Sequence, residues 1–526
     1  MVGPEYQRPD AAINAQWMQE HEPNPEHAAA TARWWEEFHD PVLNALVTNA
    51  LAQNLSLRTA GLRVIEARAA RGIAVGQFFP QMQAAFGSVG ANQLSANEAA
   101  AGGDRSFATD AIGLEAAWEL DFWGRFRRGI EAADAELLAS VADYDAVLVS
   151  LVADVATNYI LVRSLEERLV YARANATLQG ETLTLTRTRF RAGAVSELDV
   201  STARATLANT QALIPDLENA LRQTTLALCV LLGRTPSTLA EELGGAPVPE
   251  GGSAAAASSG GAESRVPEAP AMIAVGIPAD LLRRRPDVRA AERFAAAQSA
   301  RIGQAVADLY PRISITGSTG FVSSTYEGSR RPDLGNIFDA DSFSGFIGLE
   351  VNWPILNYGR IEGNIRVQDA RYEQAVTAYQ DTVLRAAADV ESGLSEFLRS
   401  RERTGHLSEA VNASQRSVEL SLIQYRAGAV DFIRVNDAQS SLVEQQDSLV
   451  VARASIALGA VRTYRAIGGG WEIRQGREFV DDATAERMRQ RTDWGDVLAP
   501  GWHEGGKDDL WFTRPALDAG DPGEDK

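Results

Sequence analysis

The chain has 526 residues, 45% of them hydrophobic, and a formal net charge of −20 at pH 7. That length suits several ordinary domains or one elongated fold, and so acidic a chain lacks the basic face that a nucleic-acid backbone requires. The single cysteine, Cys229, excludes an internal disulfide and reads as a small buried hydrophobe inside "LALCVLL".

The opening "MVGPEYQRPD" is polar and proline-rich, with no secretory signal. No run approaches the 18 or so consecutive apolar residues of a membrane helix. Residues 1–40 read as an extended N-terminal segment, and beyond them the chain repeats itself. "IGLEAAWELDFWGR" (Ile112–Arg125) returns as "IGLEVNWPILNYGR" (Ile347–Arg360), and "RAGAV" at Arg191–Val195 returns at Arg426–Val430, both at an offset of 235. "LLGR" (Leu231–Arg234) falls on "AIGG" (Ala466–Gly469) at the same offset, and "GIAVGQFFP" (Gly72–Pro80) matches "GQAVADLYP" (Gly303–Pro311) at 231. Agreement at four separated places marks a duplicated unit.

The first repeat, 41–243, begins with a helix. Phe79-Pro80 ends it and starts a hairpin of two strands at about 80–120. In "IGLEAAW", Ile112, Leu114, Ala116 and Trp118 alternate with Gly113, Glu115 and Ala117, the period of a strand. From Gly124 to Ile214 no proline interrupts, and Val147, Leu151, Val155, Tyr159, Val162 and Leu165 form one helical stripe. At about 1.5 Å per residue the run Arg125–Arg191 is a rod of roughly 100 Å, which survives only packed along its length. Gly193 closes it, Arg191 sits in its last turn, and Ser196 caps the return helix, so the tip lies at 191–199. Pro215 predicts a kink or break in that return helix.

Residues 244–270, rich in Gly, Ser, Ala and Pro, read as a flexible surface linker. The second repeat, 271–471, follows the same plan. "RRRPD" (Arg283–Asp287) reads as a helix start with solvated arginines. Tyr310-Pro311 opens a hairpin at 311–355, where Ile347, Leu349, Val351 and Trp353 alternate with Gly348, Glu350 and Asn352, and Ile313 and Ile315 with Ser314 and Thr316. A second rod reaches its tip at 426–437, with Gly428 as the turn and Asp431 as the cap. Residues 472–526 read as an acidic, solvated tail. The strands are about ten residues long, apolar on one face and polar on the other, as in outer-membrane barrels. Trp118 and Trp353 at their ends suit a membrane-interface belt. Four strands cannot close a barrel and every edge in lipid must be paired, so the chain must oligomerise.

These residues resemble the TolC/OprM-type outer-membrane efflux factors, closest to the NodT-type lipoprotein branch. The resemblance covers Val2 to about Trp471. Its marks are "VGPEYQRP", "WWEEFHDPVLNAL" (Trp34–Leu46), "AWELDFWGR" (Ala117–Arg125), "LLRRRPDVRAAE" (Leu281–Glu292), "YRAIGGGW" (Tyr464–Trp471) and both "RAGAV" tips. It implies a mainly α chain with a small transmembrane β part. Three chains would share a twelve-stranded barrel, continued by a long helical coiled-coil barrel and an equatorial belt. It implies the passive exit duct of a tripartite pump, partnered by a periplasmic adaptor and an inner-membrane transporter, anchored in outer-membrane lipid and reaching into the periplasm. Branch members usually begin with a lipidated cysteine just before "GPxY". Met1 stands in that region here, which implies a processed or recombinant form, or else an unlipidated member.

The resemblance also assigns sites. The tips, with Arg191, Gly193, Ser196, Leu198, Asp199, Arg426, Gly428 and Asp431, would dock the adaptor. Asp437 matches a carboxylate ring at the closed periplasmic mouth and Ile433 an apolar constriction. A basic residue expected at Ser440 is missing, which puts a local ionic latch in doubt. The second tip would line the pore and the first lie outside it. The plainer reading is that Gly193 and Gly428 are ordinary turn glycines and Asp437 caps a helix. The five histidines show no metal-ligand spacing, and no P-loop, G-x-S-x-G or thiol–imidazole set is present, so no catalysis, cofactor or metal is expected. Competing readings are a type I protein-secretion duct on the same fold and a soluble coiled-coil scaffold, the latter disfavoured by the aromatic-ended strands.

Overall fold

The computed structural model describes residues 1–14, 16–18, 25–95, 97, 105–243, 265–273, 283–324 and 337–498. In chain order the main elements are α1 (Pro41–Gln53), α2 (Leu55–Gly76), β1 (Met82–Gln93), β2 (Ser106–Leu120), α3 (Arg125–Arg191), α4 (Glu197–Leu231), α5 (Pro286–Ala307), β3 (Arg312–Ser324), β4 (Phe343–Asn352), α6 (Arg360–Arg426), α7 (Phe432–Ala466) and α8 (Asp482–Arg489). The two halves agree residue for residue along the rods. α3 and α6 each have 67 residues, and α4 and α7 each have 35. Their boundaries are set by glycines at matching positions. Gly124 and Gly359 begin the rods, Gly193 and Gly428 end them, and Gly233 and Gly468 end the return helices, all at positive φ. A Cβ at such a φ is strained, so glycine writes the ends of these helices into the sequence.

α3 is the central rod. α4 and α7 both pack along it, and α6 packs on α7. An 18-residue window of α3 is apolar enough to cross a bilayer, yet 61% of it is buried within the chain. Leu151, Val155, Tyr159, Val162 and Leu165 of its stripe are all buried. α4 continues unbroken across Pro215, contrary to the expected break. A proline forfeits one hydrogen bond inside a helix, and a 35-residue helix packed on a neighbour can carry that loss.

The core gathers where α1, α2, the upper part of α3 and the C-terminal half of α7 meet. Trp34 is fully buried there and stacks on Tyr464 with ring centroids 5.2 Å apart. The extended reading of residues 1–40 therefore needs correction. Residues 1–14 contain no helix or strand, but Pro25–Phe38 is 3-10 helix broken by a kink at Arg33, and it delivers Trp34, Trp35 and Phe38 to this core.

The solvated-tail reading also fails for the described part of 472–526. Phe479, Val480, Met488 and Leu498 are core residues. Asp145 of α3, completely buried, accepts from Arg474 Nε at 2.5 Å and from its Nη2 at 3.3 Å. The segment looks polar in sequence because its burial is by ion pairing. Arg285 corrects a fourth expectation. It is 8% exposed, pairs with Asp287 at 2.7 Å and donates to the Ala466 carbonyl at 2.7 Å, so it locks α5 to the end of α7. Residues 244–264 of the expected linker and 499–526 of the expected tail lie outside the described residues.

Candidate functional site: an amphipathic sheet and two helical tips

The four strands form one antiparallel sheet in the order β1-β2-β3-β4. Residues opposite each other on neighbouring strands share a face. One face carries the rows Trp118–Ile315–Leu349 and Leu120–Ile313–Val351, and next to them Ala116–Gly317–Ile347. The other carries Glu119–Ser314–Glu350 and Glu115–Ser318. Ile347, Leu349 and Val351 are 82%, 68% and 60% exposed, an apolar surface that water would not leave bare.

The strand ends are built twice. Trp118 Nε1 donates to the Phe78 carbonyl at 3.1 Å, and Trp353 Nε1 donates to the Leu309 carbonyl at 3.0 Å. Both tryptophans lie on the apolar face at its helix-proximal rim. Trp123 also stacks on Tyr310, centroids 4.5 Å apart, and donates to the Pro311 carbonyl at 2.9 Å.

One detail of this hairpin escapes a reading by fixed offset. The helices before the strands match at 231, which would lay Met82 over Ile313. Pairing instead superposes Gln83 on Ile313 and Ala85 on Ile315, an offset of 230. The first half has one extra residue, Gln81, between Pro80 and β1. Its side chain stands in for ladder bonds. Oε1 accepts from Glu119 N at 2.7 Å, and Nε2 donates to the Gln77 and Glu119 carbonyls at 2.9 and 3.3 Å. The slip sets the phase of β1, putting Gln83, Ala85, Gly87 and Val89 on the apolar face and Met82, Ala84, Phe86 and Ser88 on the other, and a one-residue shift would invert them. The sequence pattern does not signal the slip, since Met82 fits the place of Ile313 better than Gln83 does; only the pairing shows it.

At the other end of the rods the two tips share a small core of Leu183, Ala203, Tyr425, Phe432 and Val435. Both turns are Schellman motifs. Gly193 N and Ala194 N donate to the Phe190 and Arg189 carbonyls, each at 2.9 Å. Gly428 N and Ala429 N donate to the Tyr425 and Gln424 carbonyls at 3.0 and 2.9 Å. Arg191 and Arg426 are exposed in the last turns of α3 and α6.

The caps differ. Ser196 forms a full capping box with Asp199, whereas Asp431 makes no side-chain cap bond, and Arg434 at the position of Asp199 cannot accept the reciprocal one. Leu198 is 73% exposed. On α7, Val435, Ala438 and Gln439 turn inward, and Ile433, Asp437 and Ser440 share the outward face. Asp437 lies in the second turn of α7, past the reach of an N-cap, so its carboxylate is free of the capping role that the plainer reading gave it.

The contacts that fasten one tip to the other were not anticipated. Arg189 of α3 lies over the Tyr425 ring, 4.5 Å from its centroid, and donates to the Tyr425 carbonyl. Thr206 donates to Asn436 at 2.6 Å, and Gln439 to Thr182 at 2.9 Å. Higher up, Asn175 donates to Gln446 at 2.7 Å and Arg168 to Asp447 at 2.7 Å. The α3–α7 seam is thus polar along much of its lower length.

In the main core, burial raises the hydroxyl pKa values of Tyr464 and Tyr159, and their hydrogen bonds to Glu37 and Asp40 raise them further. They stay neutral donors that pin the N-terminal segment. Tyr6, in the N-terminal segment against Glu292, is pushed up to about 12, mainly by burial. Among the described residues no group of three or more His, Cys, Asp or Glu is placed to hold a metal.

The family profile described as outer membrane efflux protein matches residues 46–234 and 277–469, one span in each half. The chain is 30% identical over 483 residues to the probable efflux pump outer membrane protein TtgC of Pseudomonas putida, covering 90% of this chain and 93% of that one. It is 30% identical over 476 residues to nodulation protein T of Rhizobium leguminosarum bv. viciae, covering 90% and 91%. The solved structure of the outer-membrane channel OprN superposes with a TM-score of 0.76 at 32% identity, over 90% of this chain and 99% of OprN.

Proposed function

This chain belongs to the outer membrane efflux protein family, and from that premise we propose how its parts divide the labour of an exit duct. It is the channel component of a tripartite system that exports small molecules across the outer membrane, and not an enzyme. Its partners are a periplasmic adaptor and an inner-membrane transporter. The observation that carries the proposal is a four-stranded sheet, apolar on one face and polar on the other, mounted on 67-residue rods. The apolar face meets lipid and the polar face, with Glu115, Glu119 and Glu350, lines water. Four strands fall short of the eight or so that close a barrel, so several copies share one wall, which the family resemblance makes three copies with twelve strands.

Trp118 and Trp353 mark the periplasmic rim of the lipid. The two repeats, 41–243 and 271–471, act as quasi-equivalent staves. Val2 N donates to the Trp123 carbonyl at 2.9 Å, which sets the N-terminus beside that rim. A lipid carried at this end of the chain would enter the bilayer there.

The tips dock the adaptor through Arg191, Gly193, Ser196, Leu198, Asp199, Arg426, Gly428 and Asp431. Ile433 and Asp437, outward on α7, line the closing mouth. Three symmetry-related copies of Asp437 make a ring that favours cations. The test is planar-bilayer conductance of the purified protein and of Asp437→Ala. The parent should conduct with cation selectivity. The variant should lose selectivity more at 0.1 M salt, where the Debye length is about 10 Å, than at 1 M, where it is about 3 Å. Absence of conductance from both proteins would sink the duct, and unchanged selectivity would sink the gate.

A further inference from the structure

The sheet has two outer edges, β1 and β4, and the duplication states how they meet. β2 and β3 come from different halves, so their junction inside one chain is a template for the junction between β4 of one copy and β1 of the next. We infer that β4 pairs antiparallel with β1 of a second copy of this chain in one register, with Gly348 opposite Gly90 and Leu349 opposite Val89. This deepens the trimeric duct proposed above and rests on it.

The register follows from two correspondences. β2 maps onto β4 at an offset of 235, and β3 onto β1 at 230, the value set by Gln81. Inside the chain, Gly113 faces Gly320, Leu114 faces Thr319 and Glu115 faces Ser318. Transferred, these become Gly348–Gly90, Leu349–Val89 and Glu350–Ser88.

Two of the three pairs keep their residue types, a coincidence that no slipped register reproduces. The glycine pair also has a steric reason. A Cβ built on Gly320 would lie 2.3 Å from the Ile112 carbonyl oxygen and 2.6 Å from the Gly113 Cα, so that crossing accepts only glycine. The same register puts Leu349 and Val89 together on the apolar face and Glu350 with Ser88 on the polar face. A one-residue slip would set Glu350 opposite Gly87 or Val89 and so join the polar face of one copy to the apolar face of the next.

The aromatic rim agrees. Tyr358, 95% exposed, occupies the position of Trp123, and Phe79 that of Tyr310. The intrachain stack of Trp123 on Tyr310 thus foresees one of Tyr358 on Phe79 of the neighbouring copy.

Disulfide trapping tests this in a Cys229→Ser background. The in-register variants are Val89→Cys/Leu349→Cys on the apolar face and Ser88→Cys/Glu350→Cys on the polar face. Opposed Cα atoms lie about 4.5 or 5.5 Å apart depending on pair type, both within disulfide reach. The slipped controls, Gly87→Cys/Leu349→Cys and Ala91→Cys/Leu349→Cys, lie about 7–8 Å apart, beyond it. Mass in detergent is measured for every variant. Trimers in which an in-register pair, but not the slipped pairs, oxidises to a covalent trimer are the expected result. Trimers that cross-link through the slipped pairs, or through none, overturn the register and leave the trimer standing. A monomeric protein overturns the trimer and the register with it.

Discussion

Substituting Asp145 by alanine tests whether the C-terminal segment is structural. Asp145 is completely buried and touches Arg474, whose side chain is 10% exposed, with Arg289 Nη1 3.9 Å away. The guanidinium of Arg474 also lies 5.2 Å from the centroid of the Phe479 ring, so the same residue ties the core aromatic to α3. Removing one member of a buried pair costs about 3–5 kcal/mol, because the surviving charge keeps its desolvation penalty. At about 1.4 kcal/mol per factor of ten, amide exchange in 471–498 should accelerate roughly a hundredfold or more.

Hydrogen exchange of the purified channel, read by mass spectrometry on peptides from this segment, is the appropriate assay. Unfolding of so large a membrane protein is not a clean equilibrium, whereas local opening is. Arg474→Ala should have an effect of similar size. The double variant should fall short of the sum by about 2 kcal/mol or more, since the second removal relieves the orphaned charge. Exchange within threefold of the parent in Asp145→Ala, or strict additivity in the double variant, would refute the clamp.

Three further outcomes are expected. In Gly459→Ala a new Cβ would lie 2.7 Å from Phe397 N and 2.9 Å from its Cα, so α6 and α7 must separate. The overpacking cost of about 1–3 kcal/mol should exceed the helix-propensity gain of about 1 kcal/mol, and a raised apparent melting temperature would contradict it. At the tips, Ser196→Ala should weaken its helix start by about 1 kcal/mol while Asp431→Ala changes little, because only the first makes a side-chain cap; amide exchange at the starts of α4 and α7 reads both. Asp481 caps α8; burial opposes its charge, but its bonds from Thr484 and the nearby Arg58 outweigh burial and hold its pKa below the ordinary value. A depressed carboxylate adds stability above its unfolded pKa that is lost as pH falls through the folded one, so acidification below about pH 4 should loosen α8, and Asp481→Ala should abolish that dependence.

The parts of this molecule that sequence disclosed are those whose physics is local. Helix ends that need positive φ are written in glycine, so Gly124, Gly193 and Gly233 and their counterparts 235 residues on are visible as text, and so are the equal rods between them. Strand periodicity is equally local, and it placed β2 and β4 from "IGLEAAW" and "IGLEVNW". What stayed hidden depends on distant partners. The segment after Trp471 reads as solvated because hydropathy scores Arg474 and Asp145 as polar, although together they are buried. The same blindness let Arg285 pass for a surface charge and hid the Arg189–Tyr425 clamp between tips.

Gln81 shows the finer limit. A single inserted residue changes no composition and hardly alters a pattern match, yet it decides which face of β1 meets lipid. Duplication turns that weakness into leverage. Once the structure fixes the phase of one junction, the sequence of the other half fixes the phase of a junction that no single chain contains. The tips mark where that leverage ends. Ser196 and Asp199 became Asp431 and Arg434, so the halves share their turns and differ in the surfaces beside them. A conduit built from equivalent staves needs like walls and unlike ends, since the wall must repeat around an axis while each end meets a different neighbour.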